Sequence, residues 1–207
     1  MSKKFLIALG LGAASLLAQA APINLVKNGS FESDLQGANS WRIFGSLTNW
    51  AAGPFGIEVR NNVAGKAFDG LNFVELDTTK NSWISQSFTT VVGATYHLSF
   101  VWANRTDSQG ANSNGLNWSV DALSGVVGQD LTTAWTRFEQ DFVATSTNTT
   151  LRFGGVGKSD GFGTSLDAVS VTQVVTTAAK STVPEPGSLA LLAGAAAALF
   201  MARRRKA

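Results

Sequence analysis

Between residues 73 and 174 the chain runs in short segments that alternate apolar and polar residues. Each is cut off by Gly, Asn, Asp, Ser or Thr. A period of two places alternate side chains on opposite faces of an extended strand, whereas an amphipathic helix repeats at about 3.6 residues. Helical spacing is missing from the chain between its two ends. The alternation predicts strands over 73–76, 83–89, 95–104, 116–123, 136–144, 149–154 and 165–174. Thr and Val enrichment suits strands, and turns are supplied by 21 Gly against 4 Pro. The expected fold is all-β: an antiparallel jelly-roll β-sandwich over residues 21–175. That length suffices to bury a core. Residues 106–115 read as a mobile connecting loop, and 176–183 as a linker.

The two ends hold six of the sixteen basic residues and one of the fourteen acidic ones. The formal net charge is +2, but residues 21–183 hold ten Lys/Arg against thirteen Asp/Glu. That middle argues against a nucleic-acid partner. Cysteine is absent and His97 is the one histidine, which excludes disulfides, thiolate metal sites and multi-histidine sites. Residues 1–20 have a cationic start, a short apolar run and Ala18-Gln19-Ala20, the three parts of a secretory signal peptide. At the other end, Pro184-Glu185-Pro186 precedes an apolar stretch over 188–202 and then Arg203-Arg204-Arg205-Lys206. A 15-residue helix spans roughly 23 Å, short for a bilayer core of about 30 Å, and the cations favour the cytoplasmic side.

This order of parts resembles the PEP-CTERM sorting signal, assigned to residues 184–207. The resemblance implies recognition by an exosortase, passage through the inner membrane with 188–202 as a transient anchor, and a product at the cell surface or outside the cell.

Alternation also sorts the tryptophans. Trp102 and Trp118 fall in phase with apolar neighbours and are expected in the core. Trp83 and Trp135 share phase with polar residues and face outward. Trp41 and Trp50 lie in irregular segments where phase is unreadable. A large flat side chain on a polar strand face prompts a ligand reading. An indole stacks on the CH face of a sugar while amides, carboxylates and guanidinium groups bind its hydroxyls. Trp83, beside Gln86 and with Arg105 across the sheet, is the expected platform, with Trp50 a second candidate. The plainer alternative covers Trp83 with the 106–115 loop.

Residues 24–32 (Asn-Leu-Val-Lys-Asn-Gly-Ser-Phe-Glu) and 165–171 (Ser-Leu-Asp-Ala-Val-Ser-Val), with Gly56–Val59, Asp69–Leu76, Ile84–Phe88 and Gly93–Phe100 between them, resemble galactose-binding-domain-like jelly rolls. The likeness is strongest to cell-wall-associated domains with an Ile-Ser-Gln strand, and extends to carbohydrate-binding modules of xylanases and glucanases. It implies that the first and last strands pair and that a structural Ca²⁺ sits beside them, with Glu32 and Asp167 at the ligand positions. Ala168 replaces the usual polar residue after the closing Asp.

No spacing selects a pair of carboxylates for glycoside hydrolysis, and no Gly-x-Ser-x-Gly elbow accompanies His97. The sequence therefore reads as a non-catalytic, exported protein that binds polysaccharide in an exopolysaccharide or biofilm matrix. A structural or adhesive protein that binds protein partners, and a glycan hydrolase, are the alternatives.

Overall fold

The computed structural model describes residues 22–34 and 36–175. The expected signal peptide, the linker, and the sorting signal with Pro184, Glu185, Pro186 and Arg203 to Arg205 lie outside the described residues. The described chain forms strands β1 (Ser40–Phe44), β2 (Ala51–Ala52), β3 (Ile57–Asn61), β4 (Phe73–Glu75), β5 (Trp83–Thr89) and β6 (Thr95–Asn104). After these come β7 (Leu116–Val120), β8 (Leu123–Val127), β9 (Thr136–Val143), β10 (Asn148–Gly155) and β11 (Thr164–Gln173). They make two sheets, a six-stranded one ordered β1-β3-β4-β11-β6-β9 and a five-stranded one ordered β2-β5-β10-β7-β8. Every strand pairing is antiparallel. The fold is thus an all-β two-sheet antiparallel sandwich.

The inward faces meet as an aromatic and aliphatic core. Phe100 packs on Phe138 at 4.9 Å and on Phe153 at 5.0 Å, and Trp118 lies 4.8 Å from Phe138. Trp102 and Trp118 are buried, as their phase predicts. The chain ends close the core. The Leu25 amide donates to the Val171 carbonyl at 2.8 Å and the Val169 amide to the Gly29 carbonyl at 2.9 Å. Asn24 Oδ1 accepts from the amides of Val26 and Val171 at 3.0 Å each. The core and the closure of both chain ends fall within residues 22–175.

Two local expectations need correction. The 116–123 run is two strands, because Asp121 takes a positive φ of 51° and turns the chain. The Asp121 carboxylate holds that turn by accepting from the Thr145 amide and hydroxyl at 2.7 and 2.5 Å. The 106–115 loop is pinned rather than free. It contains a 3₁₀ turn at Ala111–Ser113. Ser113 donates to Asp160 at 2.8 Å, Asn114 to the Asp130 carbonyl at 2.5 Å, and the Lys158 amide to Asn112 O at 2.7 Å.

Candidate functional site

The outward face of the six-stranded sheet is where chemistry-bearing side chains converge. Register places Trp41 opposite Arg60, Arg60 opposite Phe73, and Glu58 opposite Glu75, with Ser165 next across the sheet. Ile57 and Val59 of β3 point into the core, so Glu58 and Arg60 must point out. The 62–72 segment, the turn at Thr78–Thr79 and the residues around Arg105 rise around this floor. They leave two adjoining hollows of about 370 and 240 Å³. The larger is bounded by Phe73 and Trp135, the smaller by Trp41, Glu58 and Arg105.

Between the hollows lies an ionic network. Arg60 is fully buried, with Nε donating to Glu58 Oε1 at 2.6 Å, Nη2 paired with Glu75, and Nη1 without a partner. Burial pulls the Arg60 guanidinium down to about 10, with Glu58 opposing the shift. Glu75 also accepts from the Gly163 amide at 2.6 Å and from Arg105 Nη1 at 3.4 Å. Arg105 forks onto Asp107 at 2.8 and 3.0 Å, donates to Gly161 O at 2.9 Å and stacks 4.6 Å from the Phe162 ring. That hydrogen bonding from Arg105 holds the Asp107 carboxyl below its usual range. The result is a rigid polar floor with an indole at each end. Trp41 is 54% exposed. Trp135 packs edge-on to Phe73 at 5.7 Å and donates its Nε1–H to Lys66 O at 2.9 Å.

The sequence-based ligand set does not assemble. Trp83 lies on β5 of the five-stranded sheet, whereas Arg105 follows β6 of the six-stranded one, so the two are not neighbours across a sheet. Gln86 points inward, is 8% exposed, and pairs with the backbone of Lys27 through its carboxamide, at 2.8 and 2.9 Å. Trp50 is 2% exposed, packs between Phe31 and Phe153, and gives its Nε1–H to Asn28 O, so neither of its faces is open to a ligand. The juxtaposition of Trp41, Glu58 and Arg60 was not legible in the sequence. β1 and β3 are only five residues long, and no local signal shows that their outward faces adjoin.

Glu32 and Asp167 do meet at one corner, where both clasp the turn before β4. Glu32 Oε1 accepts from the amides of Leu71 and Asn72 at 2.9 and 2.7 Å. Asp167 accepts from the amides of Phe68, Asp69 and Ala168 at 2.9, 3.0 and 2.6 Å. Asp167 is wholly buried, and that burial raises its carboxyl to about 7 despite the three amides. Among the described residues no three His, Cys, Asp or Glu side chains converge as a metal cage. The oxygens beside the clasp, including Asp69 and the Val169 region, line a cleft of about 370 Å³ and are of the hard type calcium takes.

A family model described as "Protein of unknown function (DUF642)" matches residues 24–172. A PEP-CTERM protein-sorting motif matches residues 182–206, which marks the chain for export and exosortase processing at the cell surface. No curated protein matches the chain. Among solved structures, TmCBM61 in complex with β-1,4-galactotriose is similar at 16% identity and a TM-score of 0.51, covering 73% of this chain and 99% of its own. A family 35 carbohydrate-binding module from Clostridium thermocellum has 16% identity and a TM-score of 0.41, covering 64% and 97%. The CBM22-1 xylan-binding domain of Paenibacillus barcinonensis Xyn10C has 14% identity and a TM-score of 0.43, covering 69% and 100%. At 16% identity the likeness to TmCBM61 is one of fold.

Proposed function

The chain belongs to the DUF642 family, and we propose that its β-sandwich is a non-catalytic polysaccharide-binding domain of an exosortase-sorted protein of the exopolysaccharide matrix. The observation that carries this reading is the groove across the six-stranded sheet, with the exposed Trp41 beside the fixed Glu58–Arg60–Glu75–Arg105 network. An open indole suits the CH face of a pyranose. Of the network, Glu58 and Arg105 line the hollow beside Trp41, and side chains already locked in place bind hydroxyls with little further ordering cost. A hydrolase is less well served. Glu75 is buried and committed to two guanidinium groups and an amide, which leaves no second free carboxyl opposite Glu58.

The test is binding of residues 22–175 to an array of polysaccharides that includes the producer's own. Trp41→Ala is expected to weaken binding about tenfold or more, the usual scale for an aromatic anchor, with no reducing ends released. Full binding by Trp41→Ala would remove the groove. Absence of any glycan binding by the folded domain would favour the adhesive, protein-binding alternative.

We also propose that Ca²⁺ occupies the cleft beside Glu32, Asp69 and Asp167, where a cation would offset the buried Asp167 charge. The folded domain keeps the Asp167 proton up to about pH 7, whereas the unfolded chain releases it near 3.8. Between those values the unfolded state binds fewer protons, so the stability of the metal-free domain falls as pH rises through that window. Calcium at pH 7.5 is expected to raise Tm, by about 2–4 °C per kcal/mol of linkage. The increment should vanish in Glu32→Gln. Identical melting curves with calcium and with chelator would contradict this.

A further inference from the structure

The outward face of the five-stranded sheet carries a second feature that the groove does not use. Trp83 of β5 faces out, and the guanidinium of Arg152, from β10, stacks 4.8 Å from its ring centroid. Register places Arg152 between Ser85 on one side and Ser119 on the other. Gly154, directly opposite Trp83, has no side chain, and the Asn117 carboxamide lies over it. Asn117 Oδ1 sits 2.8 Å from where a Gly154 Cβ would be. Among the described residues, Arg152 makes no ion pair. The acid past the end of β7, Asp121, is held by Thr145.

We propose that Trp83 and Arg152 form a receptor for the carboxylate of an acidic polysaccharide on this flat face, separate from the groove. A guanidinium stacked on an indole keeps its in-plane N–H donors free, and that fork matches a carboxylate bidentately. The stacking fixes Arg152 before the ligand arrives. The flanking hydroxyls of Ser85 and Ser119 and the Asn117 amide suit the ring hydroxyls of the same sugar. Charge complementarity is local. Residues 21–183 hold thirteen acidic against ten basic side chains, so the domain as a whole repels a polyanion. Two glycan faces on one sandwich would let a single domain bridge two polysaccharide chains.

This inference rests on the polysaccharide-binding reading, and the experiment separates the two. Residues 22–175 carrying Trp41→Ala, which silences the groove, are titrated with alginate, a polyuronate. A parallel titration uses its propylene glycol ester, whose carboxylates are capped. Alginate is expected to bind the Trp41→Ala domain. Adding Arg152→Gln is expected to weaken that binding tenfold or more, and Arg152→Lys to leave it intermediate, since a point charge replaces the fork. The ester is expected to be insensitive to both. Circular dichroism and thermal melts establish that each variant is folded. Alginate binding unchanged by Arg152→Gln, an equal loss for the ester, or no alginate binding at all overturns the inference. Failure of Trp41→Ala to affect any glycan overturns only the groove.

Discussion

Replacing Glu75 by Gln is expected to lower the unfolding free energy of the domain by about 3–5 kcal/mol, the cost of leaving a buried charge without its counter-ion. Glu75 is fully buried between Arg60, also fully buried, and Arg105. The isosteric amide keeps the volume but withdraws the negative charge and presents N–H groups where Arg60, Arg105 and the Gly163 amide all donate. Arg60 Nη1 already has no partner, and Glu58 reaches Arg60 only through Nε, so it compensates only in part. Urea denaturation measures the loss. Glu58→Gln should cost less, because Glu58 is not wholly enclosed and serves one hydrogen bond. Replacing Arg60 and Glu75 together by Met should recover part of the loss, since both fully buried charges are removed and only the partly accessible Glu58 loses its partner. A Glu75→Gln cost below about 1 kcal/mol would mean that the network does not hold the floor of the groove.

Gly29→Ala is expected to be comparably severe, at about 3 kcal/mol or more, the upper end for overpacking. A Cβ there would lie 2.0 Å from the Val169 carbonyl oxygen and 3.1 Å from its carbon. Both are backbone atoms of the last strand, which no rotamer change can move. The two segments are also joined by the bond from the Val169 amide to Gly29 O. Relief of the clash therefore means separating the first and last segments and loosening the Leu25–Val171 and Asn24–Val171 closures. Thermal unfolding reads the effect. A melting point within about 2 °C of the parent, less than 1 kcal/mol moves a domain of this size, would contradict it.

Local alternation was sufficient for the long strands. The 83–89 and 95–104 runs match β5 and β6 because each strand has one face committed to the core along its whole length. It failed where the signal is short. β1 and β2 span five and two residues, and the β7–β8 turn uses Asp121-Ala122 without glycine. For the site, alternation correctly turned Trp83 outward, which is a property of a single strand. It had no information on which strands share a sheet. Trp83 and Arg105 were set together although β5 pairs with β2 and β10 while β6 pairs with β9 and β11. Trp50 was undecidable because its burial is made by Phe31 and Phe153, distant in sequence. Glu32 and Asp167 were placed together by a resemblance, and the fold brings both to the turn before β4, where the contacts are to backbone amides.

The most direct measurement of where polysaccharide binds uses the six tryptophans as reporters, each giving one indole N–H signal in a ¹⁵N-labelled domain. An oligosaccharide of the bound polysaccharide is titrated in, with Trp→Phe variants supplying the assignments. The Trp41 and Trp135 signals are expected to move together along saturable curves, while those of buried Trp50, Trp102 and Trp118 stay still. Saturable binding with Trp41 and Trp135 unmoved would contradict it.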